Sequence, residues 1–381
     1  MRLSRAALRA HLVDELVPLW ERCGLDRARG GYWNRLGPEL QPMPDGFKRL
    51  LVHTRQIYAF SRAAELGAGA WAEAAASHGL DFLTRRFWDA RHGGWFATTT
   101  DAGEPLDRRK DLYGHAFAIF ALAEHHRISG EAESLRLARA TLALVRERLR
   151  DAKDGGYFEA ASEDWRPIDE PRRQNPHMHL VEGLLALHAV APTDGALAEA
   201  AVLVDLLGSR WSDPATGALG EFFGLSWAPA SGEAGEIVEP GHGFEWFVLL
   251  QRFTEIGGDP RALALADRLL SFAERYGVDD DGGVFDQVDR VGRPLATAKR
   301  LWPQTERLKA LAVLVRGWPD GERRGQLEAS LAYCAARYID PETHGWREQL
   351  ARDGRVLSKA QNATSVYHVV AALGEALQVA G

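Results

Sequence analysis

The chain has 381 residues, of which 46% are hydrophobic and 26% charged, and this composition is typical of a globular protein with a large core. The net charge is −7 at pH 7 with both signs spread along the chain, which argues against a nucleic-acid partner, because such a partner requires a basic patch. Cys23 and Cys334 predict neither a disulfide framework nor a zinc site built from cysteine and histidine.

The first predicted element is an amphipathic helix near the N-terminus. Residues 1–20 begin with basic side chains, but Asp14 and Glu15 interrupt the apolar stretch, and this argues against a signal peptide. No apolar run in the sequence approaches the length that spans a bilayer. We therefore predict a cytoplasmic protein without a membrane partner.

Six short glycine elements recur along the chain. They read RGGYWN, HGGWFA, DGGYFE, TGALGEF, DGGVFD and HGWREQ, and their marker glycines lie 62 to 64 residues apart. The markers are Gly31, Gly94, Gly156, Gly220, Gly283 and Gly345. A nearly constant period over the whole chain is typical of a repeat architecture.

Each period contains the same predicted parts. An amphipathic helix with a polar face, such as residues 133–149, precedes a long loop that carries the glycine element and has room for a short β-hairpin. A more apolar helix follows, such as residues 114–126. Six such pairs predict an all-α fold, an (α/α)6 barrel of six helix hairpins in one domain over residues 1–381. An open solenoid is the structural alternative, but its end repeats would be atypical caps.

Polar residues recur near the start of each predicted inner helix. In EPGHGFEWFVLL, Pro240 marks the helix start, and in NPHMHLVE Asn175 is the predicted N-cap. One polar residue is assigned to the position of His242 in each copy, and the six are His53, His115, His179, His242, Glu306 and His368. In a closed ring these helix starts point to one end of the axis. The sequence therefore predicts one polar pocket at that end, among the long loops.

Three histidines near these helix starts have a second interpretation. His53 and His115 are explained equally well as structural residues bonded to loop carbonyls. His177 lies two residues from His179, so the two do not share a helix face, and we interpret His177 as a residue that supports the pocket from behind.

Imidazoles near helix N-termini suit proton transfer. Glu245 lies three residues after His242 and is predicted to orient its ring. The sequence shows no phosphate loop, no dinucleotide fingerprint and no nucleophile elbow, so we predict acid–base chemistry on a polar substrate without a cofactor or metal. Abstraction of a proton next to a carbonyl fits, and Arg55 is expected to stabilise the enediolate oxygen that forms.

Six segments together resemble the N-acylglucosamine 2-epimerase superfamily over essentially the whole chain. In order they are HTRQIYAFSRA, DLYGHAFAIFAL, NPHMHLVEGLLAL, EPGHGFEWFVLL, LWPQTERLKAL and SVYHVVAAL. The resemblance implies an (α/α)6 barrel, in agreement with the repeat count. The segments NPHMHLVE, EPGHGFEW and LWPQTERLKAL are most similar in sequence to the mannose isomerase branch.

The resemblance also implies roles for individual residues. His242 and His368 match the paired acid–base histidines on either side of the sugar, and Arg55 matches the arginine that holds the oxygens near C1 and C2. Pocket residues that bind hydroxyls, support the histidines or form the wall are matched by Tyr113, His179, Glu245, Glu306 and Trp302. The expected partner is a monosaccharide, and the protein is expected to be a monomer or a homodimer.

The expected reaction is the interconversion of D-mannose and D-fructose through a cis-enediolate, in which the C2 proton returns at C1. Return of the proton to the opposite face of C2 would give a 2-epimerase of the mannose/glucose, cellobiose or N-acylglucosamine type, and the presence of both histidines leaves this alternative open. A glycoside hydrolase would use a carboxylate pair drawn from Asp111, Glu245 and Glu306. A helical scaffold without catalysis is the remaining alternative.

Overall fold

The computed structural model describes residues 4–381 and consists mainly of α-helices in antiparallel pairs. The α-helices are α1 Arg5–Arg9, α2 Val17–Gly24, α3 Leu50–Ala63, α4 Ala70–Phe82, α5 Leu112–Ser129, α6 Ala132–Arg148, α7 Gln174–Val190, α8 Ala196–Leu206, α9 Glu233–Glu236, α10 Pro240–Glu255, α11 Ala262–Gly277, α12 Leu301–Gly317, α13 Gly321–Arg337 and α14 Ser365–Val379. π-Helical segments extend or join several of them, at Ala10–Leu16, Ala64–Ala68, Leu83–Phe87 and Leu207–Trp211, and a 3₁₀ turn spans Pro192–Asp194. Helix α10 begins at Pro240 as predicted, whereas α7 begins before Asn175, so Asn175 is not the N-cap.

Six helices form a closed inner ring. In ring order they are α3, α5, α7, α10, α12 and α14, each packs against the next, and α14 packs against α3. The side-chain amide of Gln56 on α3 also donates to the carbonyl of Ala363, just before α14, at 2.8 Å. The predicted (α/α)6 barrel is thereby confirmed, and the open solenoid is excluded.

The burial of the helices follows their apolar patterning. Helix α7 is buried on all sides over most of its length, whereas the outer helix α13 buries only Leu327, Ser330, Leu331 and Cys334, at spacings of three and four. A helix surrounded by others must be apolar all round, and an outer helix needs only one apolar stripe. Within residues 4–381, none of the helices combines the length and the hydropathy needed to cross a lipid bilayer.

Short strands collect at the end of the barrel where the inner helices begin. They are β1 Arg35–Leu36, β2 Phe47–Arg49, β3 Thr98–Thr100, β4 Lys110–Asp111, β5 Ala160–Ala161, β6 Arg172–Arg173, β7 Phe222–Phe223, β8 Gln287–Val288, β9 Pro294–Ala296, β10 Lys299–Arg300, β11 Gln349–Leu350, β12 Val356–Ser358 and β13 Gln361–Asn362. The pairs β8–β9 and β11–β12 are the predicted hairpins within one loop. Other pairs, such as β4–β5 and β6–β7, join neighbouring loops, so the loops brace one another around the barrel end.

An aspartate turn opens each long loop. The amide of Asp151 donates to the carbonyl of Gly156 at 2.9 Å, and its Oδ1 accepts the N–H of Lys153 at 2.8 Å. In the fourth copy the amide of Asp213 donates to Ala218 instead. Ala218 therefore holds the repeat position, and the assignment of Gly220 as the fourth marker was wrong by two residues.

Buried ion pairs tie several of these turns to the strand that enters the next inner helix. The ammonium of Lys110 on β4 lies 2.8 Å from Asp89, and Arg172 on β6 pairs with Asp151. Both basic side chains are nearly inaccessible to solvent. Breaking one partner of such a pair leaves a buried charge, so these pairs stabilise the loops that surround the pocket.

Three histidines fasten the loops to the inner helices. The Nε2 atom of His115 accepts the backbone N–H of Trp95 at 3.1 Å, and its Nδ1–H donates to a carbonyl four residues earlier at 2.7 Å. His53 and His177 bind in the same way, and Gln304 takes this place in the fifth copy. Burial lowers the pKa of the three histidines to about 3, so they are neutral. The structural interpretation of His53 and His115 is confirmed, and His177 belongs to the same set, so its predicted place behind the pocket was wrong.

The presence of Gln304 at the equivalent position of the fifth copy predicts that glutamine can replace a loop-fastening histidine. His115→Ala should lower the free energy of unfolding by about 1–3 kcal/mol, because the N–H of Trp95 is left buried without an acceptor. His115→Gln should retain most of the stability, because a carboxamide performs this task at Gln304. Urea denaturation of the two variants measures the difference, and an equal loss in both would contradict this account.

Candidate active site

A cavity of about 170 Å³ lies at the end of the barrel where the inner helices begin. Its lining comes from all six inner helices and the residues just before them: Arg55, Tyr113, Asn175, His179, Glu239, His242, Glu245, Arg300, Trp302 and His368. The residues to which the family resemblance assigned a role are all in this group except Glu306, which lies behind His368 and is fully buried. Sequence analysis missed Asn175, Glu239 and Arg300.

The lining residues show that the predicted equivalence mixed three helix positions, counted from the residue whose N–H is accepted by the preceding loop. In the fourth copy this residue is Glu239, so His242 lies three positions later and Glu245 six positions later. Strands end at Arg49, Asp111, Arg173, Arg300 and Asn362 just before five of the inner helices. Four residues later comes the loop-fastening position, and six residues later comes the position that faces the barrel axis: Arg55, Phe117, His179, Glu306 and His368. Two residues apart on a helix correspond to a rotation of about 200°. His53 and His115 therefore point away from the cavity, toward the loops.

His242 is held by carboxylates from outside its own helix. Its Nδ1 lies 2.9 Å from Oε1 of Glu221, in the preceding loop, and 3.8 Å from Glu239. Burial alone would lower the pKa of His242, but the carboxylates of Glu221 and Glu239 outweigh this effect and raise it to about 9. The ring is therefore an imidazolium at neutral pH. The prediction that Glu245 orients this ring was wrong, because helical side chains lean toward the N-terminus of their helix and the ring meets Glu221 there.

Glu221 occupies a loop position that repeats along the chain. Its equivalents accept the backbone N–H at the start of the next inner helix, as Glu159 does from Arg173 at 2.6 Å and Asp286 from Arg300 at 2.7 Å. In four copies this residue follows the marker glycine by three positions: Asn34, Glu159, Asp286 and Glu348. The same signal would have identified Glu221 if Ala218 had been recognised as the fourth marker.

Glu221→Gln should lower the pKa of His242, because it removes the negative charge nearest to the imidazolium. Since the imidazolium is lost as the pH rises through its pKa, any step that needs this acid should fail at lower pH in the variant. The basic limb of the pH–rate profile, expected near pH 9 in the wild type, should therefore move down. Glu159→Gln is the matched control, and an unchanged basic limb in Glu221→Gln would contradict the assignment.

His368 has the opposite protonation state. Its Nδ1 lies 2.7 Å from Oε1 of Glu306, and its Nε2 lies 3.3 Å from Nη1 of Arg55. Burial lowers the pKa of His368 to about 4, with Arg55 adding to the shift and Glu306 opposing it. The neutral ring donates Nδ1–H to Glu306 and keeps a lone pair on Nε2, on the cavity side. Both His368 and His242 pack near the ring of Trp302, at centroid distances of 5.8 and 4.8 Å, so a base and an acid face one cavity.

Arg55 brings a buried positive charge to the cavity. Its Nη2 donates to the hydroxyl of Tyr113 at 2.9 Å, its Nη1 donates to the carbonyl of Thr364 at 3.2 Å, and its guanidinium lies 4.3 Å from the ring centroid of Phe117. Among residues 4–381, no carboxylate oxygen lies within 4.0 Å of its nitrogens. A fixed cation without a counter-ion suits an oxyanion that develops during a reaction.

His179 and Glu245 also line the cavity. Nδ1 of His179 lies 3.0 Å from Glu182, which also accepts from the hydroxyl of Tyr367. Burial lowers the pKa of His179 to about 4, so its ring is neutral. Burial and the charge of Glu306 raise the pKa of Glu245, which makes Glu245 a carboxylic acid and a hydrogen-bond donor.

Two overlapping groups of side chains bring potential metal ligands within 4.8 Å of one another, namely His179 with Glu182 and Glu245, and Glu245 with Glu306 and His368. Their donor atoms already bind each other, and the ammonium of Lys309 neutralises Glu306. This donor set does not favour a divalent cation, which would have to displace these partners.

Comparisons with known proteins identify the family and the fold of this chain. The family described as N-acylglucosamine 2-epimerase (GlcNAc 2-epimerase) matches residues 31–372. A mannose-6-phosphate isomerase of Rhizobium meliloti (strain 1021) is 34% identical over 98% of this chain and 97% of its own length. A cellobiose 2-epimerase of Bacteroides fragilis is 25% identical over 92% of each chain. The crystal structure of a D-mannose isomerase has the same fold, with a TM-score of 0.90 and 22% identity over 99% of this chain and 98% of that one.

Proposed function

The chain belongs to the N-acylglucosamine 2-epimerase family, and from this premise we propose that it is an aldose–ketose isomerase that interconverts D-mannose and D-fructose without a cofactor. Its relatives are sugar isomerases and epimerases, so a small sugar is the substrate class. The observation that carries the proposal is the pairing of a neutral His368 with a protonated His242 in one cavity that also contains Arg55.

The proposed reaction begins with ring opening. His242 donates its Nε2 proton to the ring oxygen as the C1–O5 bond breaks, and the O1 hydroxyl loses its proton to the neutral His368. Exchange with solvent then restores both imidazoles. This step requires an acid and a base at the same time. A positioned acid–base group increases the rate by a factor on the order of 10²–10⁴.

The isomerisation follows on the open aldehyde. Nε2 of His368 takes the C2 proton, and the electron pair moves into a cis-enediolate whose oxygens lie against Arg55. A proton must also move from O2 to O1, and the carboxylic acid of Glu245 is suited to donate and accept it. His368 then returns its proton at C1 and releases the ketose.

A 2-epimerase is the second candidate, and the cellobiose 2-epimerase relative favours it. It would use His242 to return a proton to the opposite face of C2. A glycoside hydrolase is less well supported, since Glu306 does not line the cavity and Asp111 caps α5 by accepting the N–H of Gly114 at 2.6 Å. These carboxylates do not flank a position for a glycosidic bond.

The deciding experiment incubates the protein with D-mannose, D-mannose 6-phosphate, D-glucose and cellobiose in D₂O and identifies the products by NMR. The expected product from mannose is fructose, which carries deuterium at C1 to the extent that the proton on His368 exchanges with solvent before it is returned. Glucose without fructose would overturn the isomerase in favour of the epimerase, and an absence of turnover on a wider panel of free aldoses would favour a scaffold. The mannose 6-phosphate arm tests whether the substrate is phosphorylated.

A further inference from the structure

Lys309 lies beneath the active site and does not line the cavity. Its side chain is 3% exposed, and its ammonium forms an ion pair with Oε2 of Glu306, three residues earlier on α12. The other oxygen of this carboxylate is the acceptor for Nδ1 of His368, at 2.7 Å. A single buried carboxylate thus connects a lysine, on one side, to the proposed base, on the other.

Other charged groups face this pair from the surrounding inner helices. Carboxylates approach from α10 and α7, where Glu245 and Glu182 both interact with the ammonium of Lys309. The nearby cations are Arg55 from α3, beside His368, and Arg252 from α10, whose charge is paired with Glu375. Lys309 is therefore the ammonium that faces three buried acidic side chains, those of Glu306, Glu245 and Glu182.

The number of protons in this cluster depends on that ammonium. Glu245 already carries a proton, because burial and the charge of Glu306 raise its pKa. Lys309 lowers the pKa of Glu306 despite its burial and so keeps this carboxylate ionised. Without the ammonium, the cluster would hold one more uncompensated negative charge in a buried space, and it would bind an additional proton at neutral pH.

Either place for that additional proton disables the base. On His368 it gives an imidazolium, which has no lone pair to accept the C2 proton. On Glu306 it turns the carboxylate into a donor to Nδ1, which forces the imidazole proton onto Nε2, on the cavity side. The groups titrate together, so both arrangements appear as one upward shift of the pH at which the base becomes available.

We propose that Lys309 is a positioning residue that holds one proton off the Glu306–His368 pair, so that His368 donates Nδ1–H to Glu306 and offers the lone pair of Nε2 to the sugar. The inference rests on the proposed function only in naming His368 as the base. The protonation of the pair is a property of the protein without sugar.

The first test is therefore made without substrate. The ¹⁵N resonances of the His368 ring, assigned by comparison with His368→Asn, are followed from pH 4 to 9 in the wild type and in Lys309→Met, which keeps the length of the side chain and removes its charge. Nε2 should be unprotonated in the wild type at pH 7. In Lys309→Met the transition should move up by about one to three pH units. Lys309→Gln, with the same expected shift, replaces Lys309→Met if that variant does not fold.

The second test uses turnover of the sugar that the wild type accepts. In Lys309→Met the acid limb of the pH–rate profile should move up by the same amount, and a shift of two pH units should lower kcat at pH 5 by about tenfold. KM should stay within about twofold, because Lys309 does not touch the cavity. Lys309→Arg, which keeps the charge, should restore the profile. Lys110→Met is the matched control, because it also removes a buried lysine paired with a carboxylate and should lower stability without moving the acid limb.

The outcomes separate this inference from the proposed function. A lower melting temperature in Lys309→Met with unchanged ¹⁵N transition and unchanged acid limb would reduce Lys309 to a structural residue and overturn the inference. A shifted ¹⁵N transition in a protein that converts no sugar would support the effect of Lys309 on the pair and overturn the proposed function instead.

Discussion

We expect His368→Asn to lower kcat for the sugar by at least about 10³-fold while the protein remains folded. The imidazole of His368 is proposed to take the C2 proton through its Nε2 lone pair beside Arg55, and a positioned acid–base group contributes on the order of 10²–10⁴. The asparagine carboxamide can still bind Glu306, so the ring of helices should be preserved. Steady-state kinetics with a thermal melt measure both effects.

His115→Gln provides the matched control for this variant. It exchanges another fully buried histidine of an inner helix for a carboxamide, at a position that holds a loop and does not line the cavity. Its kcat should stay within about twofold of the wild type, since it leaves the reacting groups in place. Retention of more than a tenth of kcat in His368→Asn would show that another group takes the proton.

Arg55→Met is expected to lower kcat by about 10²–10³-fold, the loss typical for removal of a donor to a developing oxyanion. It should not lower the melting temperature, and it is expected to raise it. Arg55 is a buried cation without a carboxylate within 4.0 Å among the residues the structure describes, so its desolvation opposes folding. A methionine of similar volume removes that cost and can still pack against Phe117.

Arg172→Met should behave in the opposite way. Arg172 is also buried, but it pairs with Asp151 and lies over the ring of Trp227, 5.0 Å from its centroid, in a loop outside the cavity. Its loss leaves the charge of Asp151 without its partner and should lower the melting temperature, with kcat almost unchanged. If both arginine variants lose stability and activity together, this would contradict the proposal that the unpaired charge of Arg55 stabilises the developing oxyanion.

The sequence by itself determined the architecture. A loop element repeated every 62 to 65 residues, with glycine at its marker in five of six copies and one amphipathic and one apolar helix in each period, is compatible with few arrangements other than a closed ring. The helix start at Pro240 and the gathering of Arg55, His242 and His368 at one end followed from that ring. Long elements with strong periodicity are predictable because apolar burial is decided by pattern over many residues.

This pattern could not determine which residue of each inner helix faces the cavity. A difference of two residues separates the loop-fastening His177 from the cavity residue His179, and the variable loop lengths make both fit a period of about 63. Only the contacts with the backbone of Tyr157, on one side, and with Glu182, on the other, assign the two positions. A shift of two residues along the chain rotates a side chain by about 200° around the helix and so places it on a different helix face.

The different protonation states of His242 and His368 were decided mainly by tertiary structure. Both lie near helix starts, and Glu239, three residues before His242, is a local contribution but not the carboxylate nearest to the ring. The difference comes from Glu221, 21 residues from His242, and from Arg55, 313 residues from His368. The pKa of a buried group depends on which charges lie within a few ångströms, and those distances exist only once the ring has closed.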